Sequence, residues 1–356
     1  MNGKRLVAAR TNDGHIITIK EEIPPLRPGT VLVEVHNSLV SPGTEVGGWR
    51  ALRQLREHPL PPGKPQTFGY SNAGVVREVG DGVEGLAPGE HVACIGVGYA
   101  LHATYAVVPH HLCVALPEAV SFTQGSYAML AATALHAVRR GQPELGEFVS
   151  VVGLGLLGQL CARLYQMAGA YVIGWDLIPF RAEIARQWGI DAAVVIGEQD
   201  EMAATHVFTG GQGLDAALFA FGGDANQTLA STERCLKCAP DGHPQGRIVI
   251  VGNPHFNWPG PGPMTNTEIL RASRTGPGYH DEDWEIGADY PPVFMRWTTQ
   301  TNLRLCMRLI AEGKLDVDVL TTHTIRLAEV DEGISAALQE PDRMLGVVFE
   351  MEQGAR

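Results

Sequence analysis

No run in this chain approaches the roughly 18 consecutive apolar residues that a membrane-spanning helix needs, and the opening residues, MNGKRLVAAR, lack the long apolar core of a secretory signal. The expectation is a cytoplasmic protein with no membrane partner. Basic residues are scarce as well: 27 Lys and Arg against 39 Asp and Glu leave a formal charge of −12. That balance argues against the broad basic surface that nucleic acid demands. Cysteines are few and scattered, and of the six only Cys235 and Cys238 stand close together. Without a second pair they do not complete a zinc site, and the run around them, QTLASTERCLKC, reads as a helix with ordinary packing cysteines.

What is present is enough for two cores. A chain of 356 residues, 45% of them apolar, exceeds what one hydrophobic core serves. Residues 4–120 are dense in Val, Gly and Pro, with short alternating runs such as VLVEVHNSLV and HVACIGVG, which predict strands and loops in a barrel. The texture changes near Ser121, where SFTQGSYAMLAATALHAVRR carries apolar residues at helical spacing. From Glu147 strands and helices alternate: FVSVVGLG, LLGQLCARLYQMAG, AYVIGWD, RAEIARQWG, LDAALFAFG, RIVIVG. This is the pattern of a parallel sheet with crossover helices. The stretch from Asn253 to Pro292, rich in Pro, Gly and acidic residues, reads as one long functional loop. A helix, a strand-like piece, a short helix and a terminal strand, GVVFEM, close the chain.

Gly153-Leu-Gly155-Leu156-Leu157-Gly158 matches GxGxxG, a weak pattern alone. Here it follows an apolar strand, opens an amphipathic helix, and precedes Asp176 at the end of a second strand, 23 positions after Gly153. In that setting Gly153 makes the tight turn, Gly155 lets backbone amides approach a pyrophosphate, and Gly158 permits close helix–strand packing. Asp176 would accept hydrogen bonds from the adenosine ribose and repel the extra phosphate of NADP, so NAD is the expected cofactor in preference to NADP. Arg181, one turn on, is a candidate contact to ribose or phosphate.

Two further stretches carry a family resemblance. GYSNAGVVREVGDGVEGLAPGEHVA (69–93) resembles the GHExxGxVxxVGxxVxxxxxGDxV signature of medium-chain dehydrogenases/reductases, and AATALHAVRRGQPELGEFVSVVGLGLLG (131–158) is similar to that superfamily's entry into its cofactor domain. The resemblance implies an α/β protein with a GroES-like β-barrel catalytic domain, 1–122 and 279–356, and a Rossmann doubly wound NAD-binding domain, 123–278. It implies a homodimer or homotetramer too, formed through Rossmann sheet edges. The departures are as informative. Zinc members place a cysteine where this chain has Ser41 in SPGTE, and His-Glu where it has Tyr70-Ser71. Hydroxyls are not usual zinc ligands, and the four-cysteine structural lobe is missing, so no zinc is expected. SPGTE, GPGYHDEDWE and the segment from Arg296 to His323 look like a branch with proteins resembling bacteriochlorophyllide hydroxyethyl dehydrogenase and sugar or cyclitol dehydrogenases.

Without zinc, oxidation of a secondary alcohol needs a side chain to take the hydroxyl proton. Glu45 lies in the neighbourhood of the lost ligand and is a candidate base. Tyr70 would face the same space and donate to a developing alkoxide, or line the pocket. His280, after the Gly276-Pro-Gly278 turn, has the side chain best suited to proton transfer near neutrality. By resemblance, the loop that carries it passes beside the nicotinamide. Ser41, Thr44, Tyr99, His102, Tyr279 and Trp297 are candidate substrate contacts. Thr133 matches a position that in the family faces the nicotinamide, and Gly252 follows a sheet strand at the cofactor edge. His110 and His111 are expected at the surface. A pocket rich in hydroxyls, carboxylates and imidazole suits a polyhydroxylated small molecule. Two other readings stay open: an NADPH-dependent enone or quinone reductase of the same superfamily, which Asp176 disfavours, and a dinucleotide-binding protein without turnover.

Overall fold

The computed structural model describes residues 3–257 and 266–352. The chain divides into two compact units, Met1–Ala132 with Thr275–Arg356, and Thr133–Arg274. The change of sequence texture near Ser121 marks the onset of helix rather than this division. Ser121 caps the turn Phe122–Gly125 in a reciprocal box with Gln124, and the helix Ala128–Gly141 follows.

The first unit is built on the strand Thr30–Val40, eleven residues of mostly β-branched or apolar character that are buried almost throughout. Different parts of it pair antiparallel with Tyr105–Pro109, Ser71–Val79 and Gly346–Glu350. One strand thereby serves three partners, and the sheet runs from Thr321–Arg326 through Gly346–Glu350, Thr30–Val40, Ser71–Val79 and His91–Ile95 to Cys113–Ala115. Its register with Ser71–Val79 shifts twice, the second time between Val35 and Asn37. Such an irregularity bends a strand and resets its alternation, here just before the fully buried Ser38.

Ser71, at the start of its strand, is a fastening. Its hydroxyl donates to the Ser126 carbonyl at 2.6 Å and accepts from the Met129 amide at 3.2 Å, tying strand to helix. Gly69 just before it has φ +124°, and a Cβ there would lie 2.3 Å from the His102 amide nitrogen. Only glycine lets the chain entering this strand pass so close to the His102 loop. His110 and His111, expected at the surface, are buried. The His110 ring nitrogen lies 3.1 Å from the Gly29 carbonyl, and the His111 ring packs on Trp284, because the segment carrying Trp284 covers this turn.

The second unit is a parallel sheet in the order Ala192–Val195, Tyr171–Asp176, Phe148–Val152, Ala216–Phe219, Pro244–Ile250, Asn266–Arg271. The first three strands run outward one way and the last three the other, so the order reverses beside Phe148–Val152, where doubly wound sheets hold ligands. Ile173, Trp175, Phe219 and Ile248 anchor its core, and burial of each such side chain is worth about 1.5–3 kcal/mol. Two sequence readings change here. Asn266–Arg271, taken as loop, is the sixth strand, and its polar NTE start hid it. The helix Asn226–Cys235 ends at Cys235, and Cys238 lies in a short strand antiparallel to Pro244–Ile250. Among the described residues no helix is long and apolar enough to cross a membrane.

Candidate active site

The glycine-rich turn joins the strand Phe148–Val152 to the helix Leu156–Met167. Gly153 has φ +88°, a conformation that other residues reach only at a cost. A Cβ on Gly158 would meet the Gly153 carbonyl oxygen at 1.8 Å, so the helix packs on the turn only through glycine. Gly155 caps the helix without a side-chain bond, which leaves the first-turn amides available for an anion. A Cβ on Gly155 would have nothing within 4 Å except the Arg181 guanidinium at 3.9 Å. An open cradle, free amides and a nearby cation suit a pyrophosphate. Leu156 is buried and Leu157 half-buried in the first turn of the helix.

Asp176, the last residue of its strand, is 5% exposed. One carboxylate oxygen accepts from the Leu154 amide at 2.6 Å and the other from the Ile178 amide at 2.8 Å. Arg181 lies 3.7 Å from the first oxygen, and its Nε is buried without a partner. Asp176 therefore braces the glycine turn, and its remaining lone pairs are what a ribose would meet. The Gln159 amide reinforces the arrangement by donating to the Leu154 and Arg181 carbonyls. Gly252 sits at the same carboxyl edge against Phe221, whose carbonyl oxygen would lie 2.1 Å from an added Cβ. Thr133 is half-buried on the helix Ala128–Gly141.

The first unit gathers a different set. Glu45 closes the short helix Pro42–Glu45 and is buried. Its Oε2 accepts from the Ser41 amide at 2.6 Å and lies 3.3 Å from His102 Nε2, while Oε1 is buried without a hydrogen-bond partner. Arg10 donates to the Glu45 backbone carbonyl at 3.0 Å. His102, expected to touch substrate, is instead fully buried with both ring nitrogens engaged, the second 2.8 Å from Ser38 Oγ. Phe68 and Phe349 meet its ring edge-on at 4.8 and 5.0 Å. Burial forces a polar side chain to find partners, and Ser38 supplies the one the sequence did not announce.

Tyr70 is 6% exposed, and its neighbours are Ser41, Thr44, Glu45 and Tyr279. Burial, then the Glu45 charge, drives its phenol pKa well above the ordinary value against the lowering by Ser41 and Thr44, so the phenol holds its proton. Tyr279 is buried, accepts from the Val97 amide at 2.9 Å, and its ring packs at a tilt against His280, centroids 4.0 Å apart. His280 is exposed, in a left-handed backbone conformation (φ +69°), and its amide donates to Glu285 at 2.8 Å. Glu45, Ser41, Thr44, Tyr70, His102 and Tyr279 thus form one group, with His280 at its margin. Tyr99 is 36% exposed, and Trp297, 41% exposed, lies under the Arg296 guanidinium at 4.3 Å.

Zinc sites use three or four N, S or O ligands. The donors here are one carboxylate and one imidazole, already bonded to each other, with hydroxyls around them. Among the described residues no group of three or more His, Cys, Asp and Glu side chains is disposed to hold a metal ion. That set does not fit zinc.

A strand-built unit that buries the Glu45–His102 pair and a doubly wound unit that opens on a glycine-rich turn together make an alcohol-dehydrogenase-like fold. Residues 27–118 match the alcohol dehydrogenase GroES-like domain, and residues 154–280 match the family described as zinc-binding dehydrogenase. The chain is 27% identical to L-threonine 3-dehydrogenase of Pyrococcus horikoshii over 91% of its length and 92% of the relative's. It is 26% identical to a sorbitol dehydrogenase of Arabidopsis thaliana, covering 73% and 72% of the two chains. The fold superposes on 2R,3R-butanediol dehydrogenase from Bacillus subtilis with a TM-score of 0.72 at 23% identity, over 97% and 99% of the chains. The chain belongs to the medium-chain dehydrogenase/reductase superfamily, and it is an oxidoreductase acting on alcohol groups.

Proposed function

We propose that this protein is a metal-independent, NAD-dependent dehydrogenase of a secondary alcohol on a sugar, cyclitol or other polyhydroxylated small molecule, with Glu45 as the proton acceptor. The observation that carries this is the carboxylate of Glu45: one oxygen is fixed by the Ser41 amide and His102, the other is buried and unpartnered. A fixed carboxylate with one free oxygen is arranged to take a proton from a bound hydroxyl.

A bound nicotinamide dinucleotide supplies the hydride acceptor, and the donor in reverse. The amides after Gly155 would hold its pyrophosphate, and Asp176, with Arg181 beside it, its adenosine ribose. As hydride leaves the carbinol carbon, the hydroxyl proton passes to Glu45 Oε1 and the C–O bond becomes a carbonyl. The protonated phenol of Tyr70 donates a hydrogen bond to that oxygen while it carries negative charge, lowering the barrier. Tyr279, Ser41 and Thr44 offer hydroxyls to the remaining hydroxyls of such a substrate, which need partners once desolvated. His280, exposed at the margin, is the candidate for passing the proton on to water.

The test is a panel of polyols, cyclitols, sugars and L-threonine assayed with NAD and with NADP, each with and without a strong chelator. The reading expects NADH formation with a polyhydroxylated member, undiminished by chelator, and NAD binding at least about tenfold tighter than NADP, roughly 1.4 kcal/mol. Chelator-sensitive turnover, or preference for NADPH, would contradict it. A homodimer or homotetramer belongs to the same reading, checked by light scattering.

A further inference from the structure

We infer that Ser38 and His102 are positioning residues that hold Glu45 as an anionic base, with His102 locked as the neutral tautomer protonated on Nε2. The inference rests on the role proposed for Glu45. The buried pair is Glu45 Oε2 to His102 Nε2, 3.3 Å, and His102 Nδ1 to Ser38 Oγ, 2.8 Å. An ionised carboxylate only accepts, so the hydrogen between them sits on Nε2. The state of Nδ1 is then decided by the Ser38 hydroxyl. Its only hydrogen-bond partner among the described residues is His102, and its residue is fully buried. If Nδ1 is bare, the hydroxyl hydrogen is donated to it and no donor is left over. If Nδ1 carries a proton, that proton goes to Ser38 Oγ and the hydroxyl hydrogen is stranded in a dry site, which is costly.

The surroundings do not offer the imidazolium another stabilising charge. Phe68 and Phe349 flank the ring, and Gly69 brings backbone against its loop. Of the other titratable or charged groups near the pair, Tyr70 faces Glu45, Tyr279 faces Tyr70, and Arg10 is spent on the Glu45 carbonyl. A neutral His102 therefore donates one hydrogen bond to Oε2 without neutralising the carboxylate. Together with the Ser41 amide it saturates that oxygen and leaves Oε1 as the basic atom. Ser38 acts through His102, two side chains away from any substrate.

The test is nitrogen and carbon NMR of the full-length protein with isotope-labelled histidine, the His102 signals being identified by their loss in His102→Gln. The expected result is a neutral Nε2–H tautomer for His102 at pH 7. Ser38→Ala is expected to replace this signal by a tautomer mixture or an imidazolium, and Ser38→Thr, which keeps the hydroxyl, to restore it. An imidazolium or an Nδ1–H tautomer in the wild-type protein at pH 7 overturns the inference, whether or not the variants fold. So does a folded Ser38→Ala with an unchanged His102 signal. The measurement needs no substrate, so it fails separately from the proposed reaction: loss of the predicted tautomer with Glu45-dependent turnover intact removes only the positioning claim. The predicted tautomer with Glu45-independent turnover removes the reaction but leaves the tautomer assignment standing.

Discussion

The two units make their sites by opposite means. In Thr133–Arg274 the cradle is one continuous stretch of backbone, Gly153 to Gly158, braced by a single carboxylate 18 residues beyond Gly158. The dinucleotide binding proposed for it rests on missing side chains and uncapped helix amides. In the other unit the group around Glu45 is made of side chains from distant positions: Ser38 on one strand, Glu45 on a short helix, Tyr70 at the entry of another strand, and His102 in a loop. The proton transfer proposed for it rests on a buried carboxylate with few partners. A backbone site fails when something is added to it. A buried polar site fails when something is removed.

That contrast sets the expected size of each perturbation. Gly158→Val places atoms inside contact distance of the Gly153 carbonyl. We expect loss of dinucleotide binding in a fluorescence titration and a stability loss of about 1–3 kcal/mol in thermal unfolding; retained binding would break the backbone half of the comparison. Asp176→Ala strands the Leu154 and Ile178 amides and frees Arg181. It is expected to cost about 1–3 kcal/mol of stability and to weaken NAD more than NADP, erasing discrimination between them in parallel titrations.

Acid should separate the units. His36, His111 and His323 in the first unit, and His136 in the second, all have pKa values lowered chiefly by burial, His111 also by its neighbour His110. A lowered folded pKa means the unfolded chain binds more protons below about pH 6.5, so the stabilisation is complete above that pH and is lost as pH falls through the folded values. With three of the four such groups in the first unit, hydrogen exchange between pH 7 and pH 5 is expected to loosen that unit before the parallel sheet. The smallest effect is reserved for Ser71→Ala. It removes the bonds to Ser126 and Met129 and should cost about 1–2 kcal/mol in unfolding experiments, leaving turnover unchanged. A large fall in turnover would give Ser71 the chemical role that its fastening geometry denies it.

The same contrast explains what the sequence disclosed. A cradle made of closely spaced glycines between a strand and a helix is visible as a string, and the parallel sheet followed from the alternation around it. Glu45 and Tyr70 could be singled out by their positions near the departures from the zinc pattern. Their connection to His102 and Ser38 was not visible, because it crosses 57 and 64 positions of chain and rests on a register shift near Asn37 and on Gly69. Ser38 sits in an apolar strand end, SLV, where a serine reads as filler until its neighbour is known. Asn266–Arg271 escaped for a related reason: a polar strand start is indistinguishable from a loop until its pairing with Pro244–Ile250 is seen.

The central claim is that Glu45 takes the substrate proton, and Glu45→Gln tests it most directly. With the best substrate of the polyol panel, turnover is predicted to fall by about 10²–10⁴-fold while NAD affinity, measured on the same preparation, stays at the wild-type value. Turnover near the wild-type rate in a variant that still binds NAD would contradict the account.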